Sequence, residues 1–429
     1  MTKSETQQLS ASGRPLPKRW FAIIVTIWAG QAVSMVTSYA AGFAAVWYVT
    51  ETTGSAWMLS ILTICAYLPQ GLLSPFGGVL ADKFNRRNVM IFADLGVGII
   101  SLILGITILM GQASVLLIAL MVIARSIGQA FHSPAMLATM PMLVPEKHLM
   151  RINTLDQLLI SICSIGAPAF GILLYTTVGF HSVMFLDFFG ALIAVGALLL
   201  VKIPPVHNEE TNSQGVMKNL VDGWNTLASN QGLLILIIGI TLGMVAFGPL
   251  SALLPLMTYD NFNGDGYMAS IIEASFGIGM IVGSGILMAW GGGKHLARLI
   301  SIAALLTGIT TAACGFLTSD MFVGFVVIIA IMAVFCSWFN APMITLVQRN
   351  TTEEKMGRAL GFVTALIGVA SPIGVAVGGA AAEIVGIGPI FITVGIMMII
   401  LGFTIYAFKS VRALDGDTPV TPKNEKANV

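Results

Sequence analysis

The sequence predicts an all-α membrane protein of twelve transmembrane helices, built as two six-helix bundles in parallel repeat with both termini in the cytoplasm. Three observations predict it: an apolar composition, a sorting of cations between alternate loops, and an internal repeat. Of the 429 residues, 56% are hydrophobic and 10% are charged, and the mean hydropathy is +0.89. A soluble protein carries about 25% charged residues, so too few remain here to cover a water-facing surface. Twelve spans of about 20 residues each account for the apolar fraction. This excludes a soluble enzyme, a nucleic-acid module and a disordered chain. The formal net charge of +1 offers no bulk attraction to an acidic partner.

Residues 1–19 form a polar tail with Lys3, Arg14, Lys18 and Arg19. The apolar run from Trp20 to about Val49 far exceeds the roughly 7–15 residues of a secretory signal core, so it reads as the first membrane helix. The spans lie near 20–48, 57–80, 88–110, 113–137, 152–177 and 181–202 in the first half. In the second they lie near 232–257, 267–290, 297–317, 321–346, 359–381 and 387–409. The organisation is therefore an N-tail (1–19), an N-terminal bundle (20–202), a cytoplasmic linker (203–231), a C-terminal bundle (232–409) and a C-tail (410–429). Within the linker, Val216 to Ala228 has the pattern of an amphipathic helix on the inner membrane surface.

Counting cations fixes the expected orientation. With the N-terminus inside, all but one of the 21 Lys and Arg fall in the tails or the inner loops. Lys83, Arg86 and Arg87 follow the second span, and Arg349, Lys355 and Arg358 follow the tenth. The outer loops hold only acids such as Glu51, Asp260, Asp265 and Asp320. This is the positive-inside pattern, and one missed span would scramble it. The chain also repeats at an offset of about 208: Phe131-His-Ser-Pro134 matches Phe339-Asn-Ala-Pro342, and Glu146-Lys147 matches Glu354-Lys355. Parallel repeats of this kind belong to transporters that alternate around a midplane site.

The exceptional cation is Arg125, inside the fourth span. An arginine at depth costs at least about 2.5–3.5 kcal/mol to insert, so it must pair or face water. Asp94 in the third span and Asp156 in the fifth are the expected partners, and all three, Arg125 included, lie toward the inner half of the N-terminal bundle. Asp187 in the sixth span and Glu273 in the eighth lie toward the outer half. A carboxyl group half withdrawn from water can hold a proton near neutral pH, so all four acids, with Arg125, are candidates for proton coupling. The repeat mate of Glu273 is Cys65, so the fold does not itself demand an acid there. On the first helix Gln31 and Ser34 are candidates to line a substrate cavity, and Glu273 joins them; the aromatic stripe Tyr39, Phe43 and Trp47 reads as packing or lipid contact, with Tyr39 and Phe43 also candidates for an apolar cavity wall. His132 reads as structural. The four cysteines lie in apolar stretches without CxxC spacing and indicate neither disulfide nor zinc. No phosphate-binding loop, HExxH or GxSxG is present. The expectation is a transporter rather than an enzyme, without cofactor or metal, working as a monomer.

The loop Gly78-Val-Leu-Ala-Asp82-Lys83-Phe-Asn-Arg86-Arg87 resembles the signature G-x-x-x-D-[RK]-x-x-R-[RK] of the major facilitator superfamily. The resemblance implies a conformational latch at Gly78, Asp82, Arg86 and Arg87, with the cations pairing with inner-face acids. Asn85 stands where the family often has glycine. Arg125 occupies a place where the family has an arginine associated with proton coupling. Gly166-Ala-Pro168-Ala-Phe-Gly171 resembles the glycine–proline bend of antiporters in the same superfamily. Trp28-Ala-Gly-Gln-Ala-Val-Ser34, Tyr48-Val-Thr-Glu-Thr-Thr-Gly-Ser55 and Arg125-Ser-Ile-Gly-Gln-Ala-Phe-His-Ser-Pro-Ala135 are similar to the bacterial macrolide-efflux group. That similarity implies export of small hydrophobic drug-like compounds in exchange for protons across the bacterial inner membrane. The alternatives are an exporter of an endogenous metabolite such as a siderophore or lipid-like molecule and, less favoured, a membrane subunit or receptor that transports nothing.

Overall fold

The structure, a computed structural model, describes residues 16, 19–201, 203, 216–351 and 353–415. Six helices form the first half: α1 (Trp20–Thr53), α2 (Ala56–Lys83), α3 (Arg86–Leu109), α4 (Val115–Leu143), α5 (Glu146–Thr177) and α6 (Phe180–Leu200). A short helix, α7 (Val216–Ala228), follows. The second half consists of α8 (Gln231–Phe262), α9 (Gly266–Trp290), α10 (Leu296–Cys314), α11 (Phe322–Arg349), α12 (Glu353–Val385) and α13 (Ile387–Ala407), followed by a single helical turn, α14 (Lys409–Arg412), and a 3-10 turn at Ala413–Asp415. Among the described residues there is no strand. Twelve of these helices are long and apolar enough to span a bilayer, and all twelve fall on the spans read from hydropathy. Several start earlier than hydropathy suggests, α5 at Glu146 and α12 at Glu353. Backbone bonding carries a helix into the polar headgroup layer, whereas hydropathy registers only the hydrocarbon core.

Large apolar side chains turn outward on both halves, among them Phe92, Leu200, Met288 and Ile384, each at least 70% exposed. On a water-soluble protein such a surface would be an aggregation hazard. Against lipid it is the expected exterior.

The described residues separate into two compact units, 1–49 with 65–211, and 50–64 with 212–429. Thr50–Ile64, at the end of α1 and the start of α2, belongs with the second unit. Glu383 of α12 is one reason. It accepts hydrogen bonds from the Ser55 hydroxyl at 3.1 Å and from the Trp57 amide at 3.1 Å, so it caps the exposed N–H groups at the start of α2.

Within each unit the same pairings recur. In the first, α3 packs on α6 and α4; in the second, α10 packs on α13 and α11, and α9 on α11. The helices α6 and α13 both start after a glycine at positive φ, Gly179 at 109° and Gly386 at 85°. These glycines are 207 residues apart, the spacing of the repeat. The linker helix α7 packs on α12, with the Trp224 ring 5.7 Å from Phe362.

Candidate functional site

Arg125, on α4, does not meet the partners expected for it. Its guanidinium pairs with Asp187 of α6 and also donates to the Ser38 carbonyl of α1 at 2.9 Å. The separation of these residues into inner and outer groups along the sequence therefore fails: the two lie at one level of the bundle. The error came from counting depth along helices whose tilts a sequence does not show. Asp187 is fully buried. Its two oxygens accept from the Ser38 hydroxyl at 2.8 Å and the Ser101 hydroxyl of α3 at 2.6 Å. Four helices thus converge on one carboxylate. A charge in such a place is tolerable because its counter-ion and hydroxyl donors replace the water it has lost.

Close backbone approach makes this convergence possible. A Cβ on Gly190, one turn beyond Asp187, would collide with Thr37 Oγ1 on α1. Only a residue without a side chain lets α6 come near enough for Asp187 to reach Ser38.

Asp94, the other expected partner of Arg125, is engaged elsewhere. It accepts from Gln31 Nε2 at 3.0 Å and lies 3.6 Å from His132 Nε2. Gln31 and Ser34 are both buried within the first unit, so Gln31 serves Asp94 rather than an open cavity wall. Tyr39 is 40% exposed and Phe43 is half-buried, so these two remain accessible along α1. The side chain of Asp156 lies outside the described residues.

Glu273 differs from all of these. It sits half-buried in α9, and no hydrogen bond or ion pair joins it to another described residue. Nothing in the packing of α9 on α11 requires an acid at that position. Those helices meet through Gly279 and Gly283, whose Cβ positions are filled by the backbone at Ala330 and Val334.

The loop between α2 and α3 is docked by its cations. Arg87 donates from Nε to the Leu198 carbonyl at 2.7 Å and from Nη2 to the Leu199 carbonyl at 2.6 Å, closing the C-terminal end of α6. Arg86 donates to the Ala138 carbonyl of α4. The expected pairing with acids is replaced, for Arg87, by pairing with the negative end of a helix. Asn85 accepts from the Arg87 amide at 3.0 Å and caps α3, which explains an asparagine where glycine is common. Gly77 brings α2 onto α4, its Cβ position being filled by the Ala130 carbonyl. The surroundings of Gly78 and the side chain of Asp82 lie outside the described residues.

In α5, Gly171 packs on the backbone of Ala40 in α1 and Pro168 is buried, whereas a Cβ at Gly166 would meet nothing within 4 Å. The close contact at this motif therefore belongs to Gly171 alone. Two residues of the polar core, Ser38 and Ser101, escaped sequence reading because single hydroxyl residues are common in membrane helices. Their signal is the seven-residue spacing of Gln31 from Ser38 and Asp94 from Ser101.

Comparison with known proteins agrees with this architecture. Residues 11–426 match the model of a family described as transmembrane secretion effector. The chain is 33% identical over 397 residues to macrolide efflux protein A of Streptococcus pyogenes, covering 92% of this chain and 98% of that protein. It is 24% identical over 412 residues to the multidrug efflux pump Tap of Mycobacterium bovis, covering 90% and 92%. Among solved structures, a peptide transporter of the POT family superposes with a TM-score of 0.72 at 12% identity, covering 94% of this chain and 98% of that one.

Proposed function

Because the chain belongs to the transmembrane secretion effector family of the major facilitator superfamily, we propose that it exports hydrophobic compounds of macrolide type by exchanging them for protons through alternating access. That it is an efflux transporter, a multi-pass protein of the bacterial cytoplasmic membrane and not an enzyme, follows from the family and from the twelve apolar spans. The proton, the cargo and cytoplasmic termini are the further steps. Cytoplasmic termini rest on the sorting of Lys and Arg into alternate loops.

The observation that carries proton exchange is the contrast between two membrane-embedded acids. Asp187 is bonded through both oxygens to three other helices. Glu273 is bonded through neither to any described residue. A proton can enter and leave Glu273 without breaking a link that holds the bundle together. Macrolide-type cargo is supported by the relative of that name and by the accessible aromatics Tyr39 and Phe43 on α1. The driving force is adequate. One charge crossing about 100 mV yields about 2.3 kcal/mol, a concentration ratio of roughly fifty.

The test is Glu273→Gln reconstituted in proteoliposomes with radiolabelled erythromycin. The variant should fold and exchange erythromycin across the membrane, yet lose transport driven by a pH gradient. Full pH-driven transport by this variant would remove Glu273 from the mechanism.

A further inference from the structure

The first unit holds a second ionisable cluster that proton exchange at Glu273 does not use. Gln31 of α1, Asp94 of α3 and His132 of α4 form one polar tier. Ser38, Ser101 and Arg125 of the same three helices, with Asp187 of α6, form another. On each of the three helices the two members are seven residues apart, which is two turns or about 10 Å. The tiers are therefore parallel layers along the axis of one bundle.

We propose that the His132–Asp94 pair is a proton-binding site of the N-terminal unit, with His132 taking up and returning one proton at Nε2. The geometry is that of a site prepared for an extra hydrogen. His132 Nε2 is buried and has no hydrogen-bond partner among the described residues, and it stands 3.6 Å from Asp94 Oδ1. That gap is just too long for a hydrogen bond. A proton on Nε2 turns the contact into a charged N–H donor facing a carboxylate, and a small movement of α4 toward α3 closes it. Loss of the same proton opens it again, and no bond other than that N–H is made or broken. Trp28 Nε1, one turn from Gln31 on α1, is a second buried ring nitrogen without a hydrogen-bond partner among the described residues, so this tier is under-bonded where the Asp187 tier is saturated. Among the described residues, the ionisable groups around His132 are Asp94 on α3, then Arg125 on its own helix and Asp187 on α6. Gln31 faces the pair from α1.

A purely structural role for this cluster conflicts with the repeat. The helices α10, α11 and α13 pack together as α3, α4 and α6 do, yet they contain no acid and no histidine. Their only charges are Arg298 and Arg349, in the first turn of α10 and the last turn of α11. The residue matching His132 is Asn340. The fold stands in the second unit without this chemistry. Histidine is the side chain suited to changing charge in the physiological range.

This inference rests on proton exchange as the energy source, and the experiment separates the two. Proteoliposomes carrying the wild type, His132→Asn, Asp94→Asn and the double variant are assayed with radiolabelled erythromycin in two modes. The first is accumulation driven by a pH gradient over a range of pH, and the second is counterflow without a gradient. Each single variant should lose about tenfold or more of driven accumulation, with a flattened pH profile and counterflow within about twofold of wild type. The double variant should be no worse than either single one, as for two parts of one unit. Wild-type accumulation and pH profile in His132→Asn would overturn the assignment. So would counterflow that falls in step with accumulation, because that is the mark of damaged packing. A wild type indifferent to the pH gradient would overturn proton exchange itself.

Discussion

Asp187 is the residue on which the N-terminal unit is most exposed to damage. It holds Arg125, Ser38 and Ser101 from three other helices while fully buried. Asp187→Asn leaves the guanidinium without its counter-charge, and breaking a buried pair from one side costs about 3–5 kcal/mol. Thermal unfolding in detergent should shift down by several degrees or more. Replacing both partners with apolar residues of similar volume, Arg125→Met with Asp187→Leu, should recover most of that loss, because no uncompensated charge remains. Unfolding of the double variant below either single one would show that the pair stabilises the fold more than this view allows. Arg125 announced itself in the sequence as a cation out of place, and its need for a partner was plain. Which acid it meets was not, since Asp94, Asp156 and Asp187 all lie on neighbouring spans and only side-chain direction selects among them.

Helix ends are governed by local chemistry, and the loop between α2 and α3 shows how. Asn85 turns its side chain onto the Arg87 amide, and Arg87 turns onto the last carbonyls of α6. Asn85→Ala should cost about 0.5–2 kcal/mol, while Asn85→Gly should cost only a few tenths. Equilibrium unfolding of the two variants checks the order, and equal losses would mean that the cap bond contributes nothing. The glycine common in the family at this position is thus a near-equivalent of the asparagine. The same logic places Glu383 over the start of α2, and Asp415 over the start of α10, where it accepts from the Ala297 amide at 2.8 Å. Neither acid was recognisable in advance. A capping residue 118 or 326 positions away in the chain leaves no local pattern, whereas Asn85 and Ser114 stand next to the helices they cap.

For the molecule in its membrane, orientation is the property that every functional statement depends on. It can be measured directly. In a background lacking Cys65, Cys163, Cys314 and Cys336, a cysteine introduced by Gly264→Cys, between α8 and α9, should react with an impermeant maleimide on intact cells. A cysteine introduced by Phe84→Cys, between α2 and α3, should react only after permeabilisation. The reverse pattern would invert the topology and with it the direction of export.

The number of helices, their order, the duplication and the membrane itself are all legible in the linear chain. Each depends on runs of about 20 residues or on sums over many charges, and such averages survive ignorance of any single contact. Packing alone chose Asp187 for Arg125, set Gln31 and His132 beside Asp94, and left Glu273 with no bonded partner among the described residues. Those outcomes depend on the rotation of each helix about its axis and on glycines such as Gly190 that admit a neighbour. A shift of one residue turns a helix by about 100°, so a polar side chain's companions are decided only once all the helices are in place.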